Sequence, residues 1–232
     1  MTRSKAQHDS LLQEFSRAEK RGVYKAIYKR RDVRGHFLPN AVDNDLLEKL
    51  LDAAHHAGSV GFMQPWSFIV IRDDKVKRQV KQLFDRANET AAKVHQGERR
   101  ELYSRLKLEG ILEAPVNLCV TCDPTRHGPQ VLGRHTIRET DVYSTCCAIQ
   151  NFWLAARAEG IGVGWVSIFE PAELREVLHI PQHVIVVAYL CVGYVREFLP
   201  RPELESAGWL PRLPLEDLIF HEQWGRRDAD EE

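Results

Sequence analysis

The chain has 232 residues with 32 basic and 33 acidic side chains, which gives a formal net charge of -1. A nearly neutral surface does not attract nucleic acid or an anionic membrane, and this length suits a single domain with one core. The longest apolar run, over residues 184–195, is shorter than the span of about 20 residues that crosses a bilayer. We therefore expect no nucleic-acid partner and no membrane contact.

The N-terminus and the cysteines indicate the compartment. The first residues are polar and basic, so the sequence shows no apolar secretory leader. The count of five cysteines is odd and Cys146 is next to Cys147, a pattern that suits a reducing compartment better than a disulfide framework. We expect a cytoplasmic protein.

The first half of the chain predicts three helices and a strand. Apolar residues recur at helical spacing in the first two helices, and Ser10 with Gln13 has the spacing of a capping box for the first. Asp43 is the expected N-cap of the second helix, and Gly58 is its expected end. The predicted elements are a helix over residues 11–29, a helix over residues 44–57, a strand over residues 67–72 and a long helix that follows Asp73.

The second half predicts three more strands separated by helices. The predicted elements are a strand over residues 116–122, a helix over residues 140–159, a strand over residues 163–168, a short helix that begins at Pro171 and a strand over residues 184–195. The last strand is apolar on both faces, so we expect it in the middle of the sheet. The alternation predicts an α+β fold of the layered α/β type, with a mixed central sheet flanked by helices.

The C-terminal segment is rich in proline. Residues 199–214 contain four of the eleven prolines of the chain. Proline lacks a backbone N–H, so it breaks helices and is excluded from inner strands. We therefore predict an extended arm here, neither helix nor inner strand. The chain divides into a domain over residues 1–198 and an arm with its tail over residues 199–232, which belongs to the same domain.

A cluster of arginines follows the first predicted helix. Arg30, Arg31 and Arg34 fall within five residues, together with Asp32 and Val33. A guanidinium is a planar fork of donors that suits phosphate, and it stays charged at physiological pH. An acid inside the cluster would weaken the binding of an anion, so Asp32 requires a separate reason. The alternative is a solvated basic turn at a helix end.

Two further segments carry candidate ligand-binding groups. The loop over residues 59–66 offers the hydroxyl of Ser59, the amide of Gln64 and an apolar wall from Pro65 and Trp66, which together suit a planar ligand. Taken alone, this loop could equally be an ordinary connection between a helix and a strand. Ser167 lies near the end of a predicted strand, where a serine usually only bonds the backbone.

Metal and dinucleotide sites are not expected. Cys119 and Cys122 match a C-x-x-C pattern, but residues three apart on a strand face opposite sides and no second pair follows. The glycines of residues 160–164 resemble a dinucleotide fingerprint. That fingerprint follows a strand, however, and here the glycines precede one. We therefore predict no metal site and no Rossmann site.

In their order along the chain, these motifs resemble the nitroreductase family of flavoproteins. The resemblance covers about residues 20–220 and rests on residues 30–34, 59–66, 141–164 and 212–216. Members of that family are homodimers that bind FMN at the subunit interface. The resemblance therefore implies a nitroreductase-like fold, bound FMN and a homodimer in which the C-terminal arm is exchanged.

Residues 32 and 62 differ from the usual family residues and indicate one branch of the family. Most members of the family have serine where this chain has Asp32, and many have asparagine where it has Phe62. The chain is similar here to the branch that makes 5,6-dimethylbenzimidazole, the lower ligand of cobalamin, from reduced FMN and molecular oxygen. In that branch FMN is the substrate, so a flavin reductase that supplies reduced FMN is an implied partner.

The resemblance also implies which residues form the site. Asp32 and Ser167 are the implied catalytic residues, and the charged stretch over residues 97–113 is the implied lid. The implied flavin-binding residues are Arg30, Arg31, Asp32, Val33, Arg34, Ser59, Gln64, Pro65, Trp66, Arg99, Ser167, Gly208 and Arg212. Two alternatives remain open: an NAD(P)H-dependent nitroreductase in which FMN cycles as a cofactor, and a flavin-binding or storage protein without catalysis.

Overall fold

A four-stranded sheet organises the fold. The structure is a computed structural model in which residues 14–227 are described. The strands are β1 (Trp66–Ile71), β2 (Val116–Cys122), β3 (Ile161–Val166) and β4 (Ile185–Tyr194), arranged in the order β1-β2-β4-β3. The predicted inner position of β4 is confirmed. The three strand pairings are antiparallel where a mixed sheet was expected, and the parallel component is a single bridge between Asp32 and Val163.

Helices cover both faces of this sheet. In the described part of the chain they are α1 (Arg17–Lys29), α2 (Asn44–His55), α3 (Asp74–Ala92), α4 (Gly97–Arg105), α5 (Thr140–Ala158), α6 (Pro171–Val177) and α7 (Glu203–Ser206). One core cluster packs α2 and α5 against the sheet, and a second packs α3 and α6 against the other face. Within residues 14–227, no helix is both long and apolar enough to cross a membrane.

Helix α1 starts later than predicted. Its N-cap is Ser16, whose hydroxyl accepts the backbone N–H of Glu19 while the Glu19 carboxylate accepts the N–H of Ser16. This reciprocal arrangement is a capping box, which satisfies two donors at the helix start. The capping box predicted from Ser10 and Gln13 lies outside the described residues.

Strand β2 places the two thiols of the C-x-x-C pattern on opposite sides of the sheet. All seven of its residues are buried. Cys119 packs in the same cluster as Tyr189 and Cys191, whereas Cys122 lies against Thr145 of α5, on the other side of the strand. The two thiols therefore diverge as the strand period predicts. All five cysteines of the chain are free.

The C-terminal arm contains a helix that the prolines were expected to prevent. Helix α7 spans four residues, and Pro202 is its N-cap. Proline is tolerated at the start of a helix, because the N–H that it lacks has no partner within the helix there. The prolines of this segment therefore flank α7 instead of excluding it. Beyond α7, the arm is extended as predicted up to a 3₁₀ turn over Leu215–Leu218.

Candidate active site

The Arg-Arg-Asp-Val-Arg segment lies along the outer edge of β3. The N–H of Val33 donates to the carbonyl of Val163 at 3.0 Å, next to the parallel bridge of Asp32. A Cβ atom on Gly164 would lie 1.9 Å from the carbonyl oxygen of Val33, and one on Gly162 would lie 3.2 Å from the Val33 side chain. Glycine is needed wherever a backbone approaches this closely. These glycines therefore seat the arginine segment on the sheet.

Asp32 is held by bonds to both of its carboxylate oxygens. One oxygen accepts the backbone N–H of Trp165, on β3, at 2.9 Å. The other pairs with the guanidinium of Arg34. The Asp32 side chain is 29% exposed, so it is fixed in orientation and still reachable from solvent.

The guanidinium of Arg34 is only partly paired. Its side chain is 12% exposed. Its Nε and Nη1 atoms are buried and have no hydrogen-bond partner within the described residues. A buried donor without an acceptor costs about 1–3 kcal/mol, so anionic oxygens such as those of a phosphate would fit this guanidinium.

Arg30 lies at the C-terminal end of α1, where it is the C-cap residue. Its guanidinium lies 4.8 Å from the centroid of the Trp153 ring, on α5. Burial lowers the pKa of Arg30; the Asp32 charge opposes this shift, and the Arg31 and Arg212 charges add to it. Three cations that converge in this way favour an anion between them.

A cavity of about 550 Å³ is lined by Arg30 and Asp32, whereas Arg34 is not among its lining residues. It brings Arg212, at the far end of the arm, to the arginine segment, although about 180 residues separate them in the sequence. One aliphatic and one aromatic residue of α1, one polar residue of α5 and a proline of the arm complete its wall. The lining residues are Ile27, Tyr28, Arg30, Arg31, Asp32, Gln150, Pro202 and Arg212.

Arg31 lines the same cavity, but its donors are directed elsewhere. Its Nε donates to the carbonyl of Leu199 at 2.9 Å, and its Nη2 donates to the carbonyl of Pro200. Its Nη1 donates to the carbonyls of Arg30 at 2.6 Å and Tyr28 at 3.1 Å. Each nitrogen of this guanidinium therefore bonds the backbone, and two of them hold the start of the C-terminal arm.

The loop over residues 59–66 is tightly fixed. Ser59 Oγ accepts the N–H of Gln64 at 3.2 Å, and the N–H of Val60 donates to Ser144 Oγ at 3.1 Å. Gly61, Phe62 and Gln64 all have positive φ angles. Such strained backbone persists only where the surroundings hold it. The loop is therefore a rigid structure that leaves the Phe62 side chain 79% exposed.

This loop does not reach the cavity of Arg30. Pro65 and Trp66 are buried, and Gln64 and Trp66 line a second cavity of about 390 Å³ together with Arg126. Arg126 bonds the carbonyls of Gln64 at 2.8 Å and Trp66 at 2.6 Å, which fixes the turn. Since Ser144 and Gln150 are six residues apart on α5, the two regions are separated by about 9 Å along that helix.

Three further predicted residues, Ser167, Arg99 and Gly208, do not line the cavity of Arg30. Ser167 is exposed, just beyond β3, and its hydroxyl makes no hydrogen bond to any described residue. Arg99, on α4, stacks 3.7 Å over the ring of Trp209, which follows Gly208. Neither Arg99 nor Gly208 lines the cavity of Arg30. Within residues 14–227, no group of three or more His, Cys, Asp or Glu side chains could hold a metal ion.

Three residues of the site were not predicted. Gln150 lines the cavity, Trp153 stacks with Arg30, and Trp209 stacks with Arg99. Gln150 and Trp153 lie three residues apart on α5, a spacing that places them on one face of a helix. The helical spacing could have identified Gln150 and Trp153 from the sequence. Trp209 contacts a residue 110 positions away in the sequence, and no local pattern predicts such a contact.

Comparison with known proteins gives the family. The Nitroreductase family model matches residues 27–194. A 5,6-dimethylbenzimidazole synthase from Rhodospirillum rubrum is 44% identical over 185 residues, which cover 80% of this chain and 87% of that protein. Another from Rhodobacter capsulatus is 37% identical over 217 residues, which cover 92% of this chain and 99% of that protein.

Solved structures share the fold. Iodotyrosine deiodinase bound to FMN and 3-iodo-L-tyrosine has a TM-score of 0.67 and 22% identity, with 87% of this chain and 98% of that one covered. The nitroreductase-like fold expected from the sequence is thereby confirmed. The relatives that this chain matches over most of their length include these 5,6-dimethylbenzimidazole synthases, and the chain belongs to the nitroreductase family.

Proposed function

We propose that this protein is a 5,6-dimethylbenzimidazole synthase that consumes reduced FMN together with molecular oxygen. The observation that carries the proposal is that Asp32 lines the same cavity as Arg30 and Arg212. A negative charge beside the arginines weakens phosphate binding, so we assign Asp32 a chemical role in addition to its bonds to Trp165 and Arg34. Two relatives that carry this enzyme's name, at 44% and 37% identity, support the same activity.

The arginines are the proposed phosphate site. Arg30 and Arg212 line one cavity, and their charges repel each other there. A dianionic phosphate offsets that repulsion. Arg34 does not line this cavity, and we assign it to the phosphate site on the arginine motif. Binding energy gained at the phosphate is remote from the reacting atoms, so it can position the flavin ring for reaction.

Asp32 is the proposed acid/base. Reduced FMN supplies the electrons that reduce oxygen and the ring system that becomes the product, and protons must move to and from it. A positioned carboxylate can hold such a proton, a contribution of about 10²–10⁴-fold in rate. The bonds from Trp165 N–H and Arg34 orient the Asp32 carboxylate.

Ser167 is the second proposed catalytic residue. Its hydroxyl is exposed and has no partner among the described residues, so it is free to bond a ligand. A serine at a strand end that already bonded the backbone would not be available in this way. We assign it a hydrogen bond to the flavin or to oxygen bound beside it.

The working form is proposed to be a homodimer. Helix α1 buries none of its residues within one chain and leaves Val23, Tyr24, Ile27 and Tyr28 exposed. The arm beyond Trp209 is likewise exposed, with large apolar side chains at Leu210, Leu213, Leu215, Leu218 and Ile219. Exposed apolar surface of this extent marks an interaction site. We propose that a second copy covers it and completes the flavin site.

The proposal also assigns a cellular setting. We place the protein in the cytoplasm, where a reducing environment agrees with its five free cysteines. A flavin reductase would supply reduced FMN. Helix α4 is the proposed lid, which would keep water and other reductants away from the bound flavin.

The alternative is an NAD(P)H-dependent nitroreductase, in which FMN is reduced and reoxidised many times without being consumed. Several structures of the nitroreductase family have the fold of this chain, so the fold does not separate the two functions. The fate of FMN does. We propose to cycle the protein with FMN, a flavin reductase and NADH in air, and to measure the flavin absorbance that remains after each cycle.

A synthase loses flavin in proportion to enzyme turnover, whereas a nitroreductase or a storage protein returns all of it. Control reactions without the protein set the rate of spontaneous flavin loss. Flavin that survives at the control level would contradict the proposal and leave the nitroreductase.

A further inference from the structure

The C-terminal arm is held against its own chain at two points before it reaches Arg212. Arg31 bonds the carbonyls of Leu199 and Pro200 at the start of the arm. Farther along the arm, Trp209 contacts His95 and two residues of α4, Arg99 and Tyr103. Arg212 follows three residues later and lines the cavity with Arg30. The arm is thus attached on both sides of α7, and Arg212 extends from the second attachment.

The side chains of His95, Arg99 and Tyr103 form a cage around Trp209. Its ring meets His95 edge to face at 5.3 Å and lies 6.0 Å from the Tyr103 ring. The guanidinium of Arg99 stacks on it at 3.7 Å, and Arg99 Nη1 donates to the Trp209 carbonyl at 2.9 Å. The N–H of Trp209 donates to the carbonyl of Leu204 at 2.8 Å, which closes the end of α7. Backbone and side chain are therefore both fixed.

The cage itself is anchored in the core. Tyr103 is 7% exposed, and its hydroxyl donates to Asn88 Oδ1, on α3, at 2.7 Å. A cation stacked on indole contributes about 0.5–1 kcal/mol at an exposed site, and the aromatic contacts add to it. Residues 210–219, in contrast, are all exposed in the single chain. Trp209 is therefore the last firmly held residue before Arg212.

We infer that Trp209 and Arg31 are positioning residues for Arg212, and that they set the preference of this site for a flavin that carries a phosphate. This inference rests on the proposed flavin site. Arg31 was predicted to bind the flavin, and its bonds to the arm indicate that it acts through Arg212 instead. Trp209 carries no charge, and its ring contacts and hydrogen bonds are to residues that do not line the cavity. Its effect on phosphate binding must therefore pass through the position of the arm.

The physical basis is preorganisation. With Trp209 held, Arg212 is confined to the neighbourhood of Arg30, and its charge is in place before a phosphate arrives. Without the cage, Trp209 and the two residues that link it to Arg212 are free, and the conformational entropy of ordering them counts against binding. The loss should fall on FMN, which has a phosphate, and spare riboflavin, which has none.

The test compares the affinities of FMN and riboflavin for the full-length protein by quenching of flavin fluorescence. Trp209→Ala is expected to weaken FMN binding about tenfold, the size of one charge-assisted hydrogen bond, and to leave riboflavin binding unchanged. Trp209→Phe, which keeps an aromatic ring in the cage, should restore most of the preference. Trp224→Ala is the matched control, because Trp224 is 91% exposed and stacks on Phe220; it should behave as the parent.

A double-mutant cycle shows whether Trp209 acts through Arg212. In the Arg212→Ala background, Trp209→Ala should cost little further FMN affinity, because the group that it positions is gone. Arg31→Met should likewise cost little further FMN affinity in the Arg212→Ala background. Far-ultraviolet circular dichroism verifies that each variant is folded.

Two results would overturn the inference: equal loss of FMN and riboflavin affinity, or losses from Trp209→Ala and Arg212→Ala that simply add. Either can occur while the parent protein still binds FMN and consumes it, so failure here is distinct from failure of the proposed function. A parent protein that binds neither flavin would instead contradict the proposed function itself.

Discussion

Arg34 forms an ion pair with Asp32, two residues earlier, and the same carboxylate accepts the backbone N–H of Trp165 at 2.9 Å. One acid thus joins the arginine segment to β3 and partly neutralises one of its cations. Asp32 therefore has a structural role whatever its chemical role. The two roles make different predictions for substitutions that keep or remove its hydrogen-bond acceptors.

Replacement of Asp32 by asparagine tests the chemical role. Asp32→Asn keeps an oxygen that can accept the Trp165 N–H, and it removes a negative charge beside the phosphate site. FMN binding should therefore persist, while formation of the benzimidazole should fall by at least the roughly 10²-fold that is typical of a lost acid/base. Equilibrium binding of FMN and single-turnover product formation, measured on the same preparation, give both values.

Asp32→Ser is the companion variant, because serine is what most nitroreductases have at this position. It should leave flavin intact through repeated reduction and reoxidation. Product formed by Asp32→Asn at the parental rate would show that the aspartate serves only as the partner of Arg34 and Trp165.

Gly164→Ala tests the seating of the arginine segment. The added Cβ atom would lie 1.9 Å from the Val33 carbonyl oxygen, so the segment must move away from β3. We expect a loss of about 1–3 kcal/mol in the free energy of unfolding and weaker FMN binding. Gly22→Ala is the control: its Cβ meets nothing within 4 Å, and alanine favours the interior of helix α1 by about 1 kcal/mol. Urea denaturation measures the free energy of unfolding of both variants. Equal values would contradict the proposed role of Gly164 in seating the arginine segment.

Ser167→Gly should separate activity from stability. The hydroxyl makes no bond to the described chain and the residue is exposed, so the free energy of unfolding should change by no more than about 0.5 kcal/mol. Product yield per oxidised flavin should fall, because a hydroxyl that holds the flavin or oxygen is gone and oxidation proceeds without fragmentation. The measurement is product formed against hydrogen peroxide released. A parental yield would remove Ser167 from the site.

Buried protonated groups predict a loss of stability at alkaline pH. Burial raises the pKa of Cys119 to about 12, and burial also raises the pKa of Cys191 and Tyr189. Below pH 9 Cys119 is protonated in the folded and the unfolded chain. Between about pH 9 and pH 12 only the unfolded chain loses the proton, so each such group lowers the free energy of unfolding by up to about 1.4 kcal/mol per pH unit.

Cys119→Ala should therefore reduce the slope of this loss. Cys147→Ala, at an exposed position, should keep the parental slope. Urea unfolding at a series of pH values from 8 to about 10.5 measures the difference, and identical slopes in the two variants would rule out a buried, protonated Cys119.

The apolar stripe of helix α1 predicts a dimer at micromolar concentration. Val23 and Tyr24 are 47% and 56% exposed in the single chain. A charge placed there should not disturb the fold of one chain, but it should break an interface that buries these side chains. Val23→Glu and Tyr24→Glu are expected to sediment as folded monomers. Lys25→Glu, on the same helix but outside the apolar stripe, should remain dimeric, and a monomeric parent would contradict the proposed dimer.

Local sequence patterns were sufficient for most of the secondary structure. Strand β2 has the predicted bounds, and α2, α3, α5 and β4 start or end within a few residues of the predicted positions. Strand β3 starts two residues before its predicted start and includes Gly162. Only the fold shows that Gly162 and Gly164 face the Val33 segment.

The site was less accessible to sequence reasoning. The convergence of Arg30 with Arg212 was expected from resemblance, not from local pattern. The role of Arg31 depends on carbonyls 168 and 169 residues away, and no spacing rule signals such a contact. Proline content gave the arm its extended character and hid α7, since a proline at the start of a helix and a proline that breaks one look alike in sequence.

The central claim is that FMN is consumed as a substrate, and a mass balance tests it most directly. The parent protein is mixed with a known amount of reduced FMN in air, and the residual flavin and 5,6-dimethylbenzimidazole are quantified by mass spectrometry, with Asp32→Asn as the matched control. The account predicts that the parent loses one FMN for each benzimidazole formed, and that Asp32→Asn returns nearly all of its FMN in oxidised form. Complete recovery of oxidised FMN from the parent, with no benzimidazole, would contradict it.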